Sequence, residues 1–166
     1  MSIYGVNVFR IGIGYDIHRL SSGRDLLLGG IKIPYDKGCL GHSDGDALIH
    51  AIVDALLGAL ALGDIGTHFP DTEAKYKNIE SSILLKDVFE NISTRGWKIS
   101  NIDTNIILEA PKLGKYKEEI KNNLSKILAI DSNSISIKAK TNEGMDASGH
   151  GECIIAQAVV LLQKNC

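Results

Sequence analysis

The stretch Ala47–Leu62 is the longest apolar region of the chain, and its few interruptions constrain the fold most. Counting the residue just ahead of it, the exceptions are Asp46, His50, Asp54 and Gly58, at i, i+4, i+8 and i+12. On an α-helix that spacing draws one stripe along one face. A helix apolar elsewhere is buried on most sides, so its polar stripe needs either solvent or a specific partner. Solvated faces usually carry Lys and Glu, and this stripe has neither. Two readings stay open. One is a solvated face. The other is His50 as a metal ligand, with Asp54 or a backbone carbonyl orienting its second nitrogen. The helix is expected over Ser43–Leu62, with Ser43 as N-cap, Asp46 completing an S-x-x-[DE] box and Gly63 as the C′ glycine. With His50 and Asp54 inside it, the run is too short and too interrupted to span a bilayer comfortably.

The remaining pattern surrounds this helix with strands. Val8–His18 alternates and reads as a strand. Asp25–Ile33, broken at Gly29-Gly30 and closed by Pro34, reads as a hairpin. Ile79–Arg95 is a second helix, stopped by Gly96, and Trp97–Glu109 a strand. Lys112–Leu128 is a third helix, opening after Pro111. Ser134–Thr141 is a strand, Asn142–His150 a loop, and the β-branched pairs of Gly151–Gln163 favour a last strand. The order predicts an α/β fold, an α+β sandwich with helices on one face of a mixed sheet. At 166 residues one domain, 1–166, is expected. The net charge of −2 argues against a nucleic-acid or polybasic membrane surface. Cys39, Cys153 and Cys166 form no C-x-x-C pair and read as small buried or terminal thiols. Residues 1–10 do not read as a signal peptide, so the expected location is cytoplasmic.

Where the five His residues fall carries the chemistry. Asp16 and His18 are two apart on the first strand and share a face. With His50 they make a two-His, one-carboxylate set, which suits Zn²⁺ and leaves a fourth position open, as a catalytic site requires. Gly41–Asp46 offers His42, the Ser43 hydroxyl and backbone N–H groups at a helix N-terminus, a candidate anion site. Gly12-x-Gly14 lacks the third glycine of a dinucleotide fingerprint, and neither a phosphate-binding GxxxxGK[ST] loop nor a G-x-S-x-G elbow occurs. Ala110-Pro111-Lys112 and Thr141-Asn142-Glu143-Gly144 follow strand ends, common ligand positions in layered folds. Glu143 suits a harder cation such as Mg²⁺.

Together these motifs resemble the 2-C-methyl-D-erythritol 2,4-cyclodiphosphate synthase family of the non-mevalonate isoprenoid pathway. The matching pieces are GYDIHR (14–19), GGIKIPYDKG (29–38), HSDGDALIHAIVDALLGALALGDIGTHFPDT (42–72), NIDTNIILEAPK (101–112) and KTNEGMDASGHGE (140–152). The resemblance implies a metal-dependent lyase. It turns 4-diphosphocytidyl-2-C-methyl-D-erythritol 2-phosphate into the cyclic diphosphate and CMP. It also implies ferredoxin-like protomers in a homotrimer, with sites at the subunit interfaces. Asp16, His18 and His50 become the ligands of one Zn²⁺ per subunit, with Asp16 and His18 within reach of substrate. His42 and Ser43 sit beside the phosphates, His42 helping to hold the transition state. Asp64, Ile65, Gly66, Phe69, Pro70, Asp71, Thr72 and Glu73 contact the sugar and methylerythritol parts. Leu108, Ala110, Pro111, Lys112, Leu113 and Gly114 hold the cytosine, helped by Ala139, Lys140 and Thr141. Thr141 steadies developing charge, Asn142 lies in the same loop, and Glu143 binds Mg²⁺ or Mn²⁺. Alternatives are another zinc-dependent phosphoesterase and a non-catalytic trimeric nucleotide-binding module.

The chain departs from the family pattern at four positions. Relatives often have Thr at 140 and 142, Phe at 147 and Arg at 150, where this chain has Lys140, Asn142, Ala147 and His150. An imidazole is mostly neutral near pH 7 and lacks arginine's fork. The central trimer cavity, which in some relatives holds an isoprenoid diphosphate, is therefore expected to lack that ligand here. His68 receives no role.

Overall fold

The computed structural model describes residues 7–165. Residues 1–6 of the expected leaderless N-terminus, and Cys166, lie outside the described residues. The elements run β1 (Asn7–Ser22), β2 (Leu26–Leu28), β3 (Ile31–Ile33), β4 (Lys37–Cys39), α1 (Ala47–Ala59), α2 (Ile65–His68), α3 (Ser81–Thr94), β5 (Lys98–Ile107), α4 (Lys117–Leu128), β6 (Ile135–Lys140), α5 (Asp146–Gly149) and β7 (Cys153–Asn165). Five strands form one mixed sheet in the order β4-β1-β7-β5-β6, and β2 pairs with β3 alone. Only β5 and β6 run parallel. The helix α4 between them supplies the crossover that parallel strands require.

The sheet's two faces differ sharply. Ile154, Ala156, Ala158, Val160 and Leu162 of β7 are buried, with Ile102, Thr104 and Ile106 of β5 in register beside them. They form one core with Leu48, Ile52 and Leu56 of α1, Leu85 and Ile92 of α3, and Ile120, Leu124 and Leu128 of α4. On the other face of β1, Ile11 is 70% exposed and Ile13 75%, with Phe9, Tyr15 and Ile17 also exposed. No helix among the described residues is long and apolar enough to cross a membrane.

The Gly12-x-Gly14 pair has a packing role. A Cβ at Gly12 would lie 1.9 Å from the Ala55 carbonyl oxygen, and one at Gly14 1.8 Å from that of Ala51. Helix α1 therefore rests on β1 backbone to backbone, its Ala51, Ala55 and Ala59 filling no more than a methyl each. This close crossing sets His50 opposite the end of β1.

Several boundaries differ from expectation. The N-cap of α1 is Asp46, whose carboxylate accepts the Ile49 N–H. Ser43 is occupied elsewhere, accepting from the Gly45 N–H at 3.3 Å and lying 3.1 Å from His50 Nε2. Asp46 also accepts from Gly29 N and Gly30 N, tying the β2–β3 hairpin to the helix. Burial pushes this carboxyl up, even against those three amides. The helix ends at Ala59, and Ala61, not Gly63, takes the first left-handed position beyond it (φ 55°). The third helix starts five residues late, at Lys117, behind a 3₁₀ turn at Gly114–Tyr116. Strand β4 was hidden by its length, and the expected loop 142–150 contains the short α5. Cys39 and Cys153 are buried free thiols.

Candidate functional site

Beyond Gly12 and Gly14, strand alternation carries Asp16 and His18 onto the helix side of β1. There they meet His50, and ligand atoms of the three lie within 4.8 Å of one another. Asp16 Oδ2 is 2.9 Å from His18 Nδ1 and 3.1 Å from His50 Nδ1. The imidazole rings stand 5.1 Å apart, centre to centre. Burial alone would raise the Asp16 carboxyl, but His18 and His50 outweigh it and hold the group at about 2. Burial would lower His50, and here Asp16 wins and raises it. His18 Nδ1 is buried and, despite its closeness to Asp16, is out of line for a hydrogen bond. A buried, unpartnered ring nitrogen beside a carboxylate and a second imidazole is the donor set of an open divalent-metal site, so these residues fit such an ion.

The far side of His50 is held by hydroxyls, not by Asp54 or a carbonyl. Its Nε2 lies 2.9 Å from Ser81 Oγ and 3.1 Å from Ser43 Oγ. Ser81, fully buried at the start of α3, gives its hydroxyl proton to Asp44 Oδ1 and its backbone N–H to Asp44 Oδ2. Asp54 instead accepts the Ile65 N–H at 2.7 Å, fixing the next segment. Asp64 turns inward on its own helix, accepting from Thr67 N and Thr67 Oγ1. His68 has a structural place, its Nε2–H donating to the Leu62 carbonyl. The backbone N–H groups of Gly45, Asp46 and Ile49 are taken by Ser43, Asp44 and Asp46 side chains. The helix end thus offers an anion fewer free amides than expected.

These elements enclose a cavity of about 240 Å³ lined by Asp16, His18, His42, Ser43, His50, Ile65, Gly66, Phe69 and Asp71, together with Tyr76, Ile79 and Leu84. Asp64, Pro70, Thr72 and Glu73 do not line it. A second cavity, about 430 Å³, is lined by Leu108, Pro111, Lys112, Leu113, Gly114, Ala139, Lys140, Thr141 and Glu143, with Lys117 added. There Thr141 Oγ1 donates to Glu143 Oε1. Ala110 joins Pro111 by a cis peptide bond and does not line the cavity. Asn142 points away, bonding Asp146 and Ser148. Sequence reasoning missed Asp44, Ser81 and Lys117. Only the S-D-G-D run hinted at Asp44, and the other two carry no local signal.

The two cavities share one level of the sheet. Asp16 pairs with Ala156, Ala156 with Ile106, and Ile106 with Ala139. Three strand spacings of ~4.8 Å put Asp16 and Ala139 about 14 Å apart. Within one chain the metal corner and the Lys-rich cavity are neighbours separated by β7 and β5.

Residues 9–163 match the model of the YgbB family. The chain belongs to the YgbB family. A family relative from Clostridioides difficile (strain 630), named 2-C-methyl-D-erythritol 2,4-cyclodiphosphate synthase, is 52% identical over 153 residues, 92% of this chain and 95% of the relative. Among solved structures, "IspF (Plasmodium falciparum) CDP complex" is 38% identical with a TM-score of 0.84, covering 99% of this chain and 100% of that one. The bifunctional IspDF from Campylobacter jejuni superimposes with a TM-score of 0.92 at 36% identity, over 96% of this chain. This chain spans 43% of that longer protein.

Proposed function

We propose that the protein is a lyase of isoprenoid precursor biosynthesis that closes 4-diphosphocytidyl-2-C-methyl-D-erythritol 2-phosphate into 2-C-methyl-D-erythritol 2,4-cyclodiphosphate, releasing CMP. The observation that carries this reading is the Asp16–His18–His50 corner opening on a cavity that also holds His42 and Ser43. Family relatives bearing the synthase name support it.

The reaction is an internal displacement. An oxygen of the 2-phosphate forms a bond to the β-phosphorus, and the bond from that phosphorus to the CMP oxygen breaks. Folding a polyanion on itself is chiefly a problem of positioning and charge. Asp16, His18 and His50 would hold Zn²⁺, and Glu143 Mg²⁺ or Mn²⁺. Such ions supply Lewis-acid polarisation of phosphate oxygens. His42 and Ser43 donate to phosphate oxygens beside the metal corner, and Thr141, freed once Glu143 turns to its cation, would donate to charge developing at the other end. Asp54 and His68 hold the Ile65–Phe69 segment that packs against the methylerythritol part, with Asp71 beside it. Leu108 and Pro111–Gly114 form the cytosine wall, with Ala139 and Lys140 opposite. No side chain need form a covalent intermediate.

The assembly reading is a homotrimer of ferredoxin-like protomers with the site completed at each interface. Its support is the uncovered apolar face of β1, since a run of Phe9, Ile11, Ile13, Tyr15 and Ile17 left in water marks an association surface. Neighbouring subunits would bring one chain's metal corner against another's cytosine wall. His150, exposed on α5's trailing edge, offers no fixed charge to a central cavity, so no isoprenoid diphosphate is expected there.

Mixing the protein with the cytidyl substrate, Zn²⁺ and Mg²⁺ and following phosphorus NMR tests the reading. Cyclic diphosphate plus CMP is the expected outcome. Open-chain phosphates would mean a phosphoesterase instead, and unchanged bound substrate a binding module.

A further inference from the structure

The hydroxyls around His50 are not equivalent. Ser81 is fully buried, and Asp44 grips it twice, through its hydroxyl and its backbone N–H. A carboxylate only accepts, and a hydroxyl has one proton to give. With that proton committed to Asp44, Ser81 Oγ can only accept from His50 Nε2, 2.9 Å away. Nε2 then carries the hydrogen, and Nδ1, which gives its own hydrogen to Asp16 Oδ2 3.1 Å away while no ion is bound, is the nitrogen left to exchange that proton for a metal. Ser43 Oγ lies slightly farther from Nε2, at 3.1 Å, on the wall of the metal-side cavity. One N–H makes one strong bond, and the locked Ser81 takes it.

We infer that Ser81, held by Asp44, is the positioning residue that sets the His50 tautomer for metal binding and so leaves the Ser43 hydroxyl free to donate to a phosphate. This rests on the reading that Asp16, His18 and His50 hold a divalent metal. The opposite tautomer would put a hydrogen where the metal must sit, so the cost of losing Ser81 falls on metal affinity. Ser43 divides from it by function. Its hydroxyl faces the cavity and serves the substrate.

The test compares wild type with Ser81→Ala, Ser81→Thr, Asp44→Asn and Ser43→Ala. Zn²⁺ affinity is measured by competition with a chromogenic chelator, and the His50 tautomer by imidazole ¹⁵N shifts of the metal-free protein. Wild type shows hydrogen on Nε2 as well as on Nδ1. Ser81→Ala weakens zinc by about 10–100-fold, the usual loss for a group that orients a metal-bound imidazole, and leaves hydrogen on Nδ1 with Nε2 largely bare. Ser81→Thr restores both, and Asp44→Asn weakens both. Ser43→Ala keeps wild-type zinc affinity and raises KM. Wild-type affinity and tautomer in both Ser81→Ala and Asp44→Asn overturn the inference, as does an equal zinc loss in Ser43→Ala. If wild type takes no zinc, the metal reading fails by itself, and the ¹⁵N spectra still decide whether Ser81 sets the tautomer. If Ser81→Ala does not fold, Asp44→Asn and Ser81→Thr carry the comparison.

Discussion

The two cavities are built from different materials. The metal corner is set by a strand and a helix that touch through bare backbone, and its ligands sit on rigid elements with buried partners. The second cavity is made from strand ends and connections, 108–114 and 139–143, where Thr141 bonds Glu143 two residues on. One region is placed by packing, the other by local turns. Damage should therefore travel differently from each. A change at the metal corner should remove the metal and with it all chemistry. A change in the loop cavity should leave metal and fold intact and act on the reaction alone.

His50→Ala or Asp16→Ala gives the largest contrast. Each should lose stoichiometric zinc and all measurable turnover while keeping a native circular-dichroism spectrum. Metal analysis of the purified variants checks this, and stoichiometric zinc in either would remove that residue from the ligand set. Thr141→Val probes the other cavity. It should keep full zinc content and lower kcat by about 10²-fold, the scale for one donor lost from a developing charge. Equal loss of zinc in Thr141→Val would mean that the cavities are not independent. The rigid crossing has its own test in Gly14→Ala. A Cβ 1.8 Å from a helix carbonyl must push the backbones apart, at a cost of about 3 kcal/mol in chemical denaturation. The smallest effect is a pH dependence of the metal-free protein. Asp16 is held at about 2 against an ordinary 3.8. Because the folded value is the lower one, its stabilisation is complete above about pH 4 and lost as pH falls toward 2, about 2 kcal/mol in all. Asp16→Asn should flatten that part of the acid-stability curve. An unchanged curve would mean that Asp16 is not held low by its two imidazoles.

The same division explains what could be read from sequence. The helix stripe at 46, 50, 54 and 58 and the Asp16-x-His18 alternation are periodic, and periodicity survives in a string of letters. Their meeting also follows from chemistry, because a buried imidazole and carboxylate need partners. The partner that was misjudged, Asp54, shares the stripe with His50 but is drawn to the Ile65 N–H by the chain's turn after α1. The true partners, Ser81 and Ser43, lie 31 and 7 residues away from His50 in the chain, and no helical or strand period joins them to it. Helix ends were misread for a related reason. Asp46 beat Ser43 to the cap because it could bind the distant Gly29 and Gly30 amides at the same time. That contact is tertiary and leaves no mark on local spacing.

Strand β1 carries two purposes in alternate residues. Asp16 and His18 face the helix, while Tyr15 and Ile17, which alternate with them, face outward on the uncovered apolar side. A slip of one residue would exchange the sets completely. The strand is pinned against this by thirteen register pairs with β7, from Asn7↔Asn165 to Arg19↔Cys153. Association of subunits through the outward set would stiffen the strand that holds the inward one. Metal retention and oligomerisation then become linked equilibria, so dilution that separates the subunits should also loosen the ion.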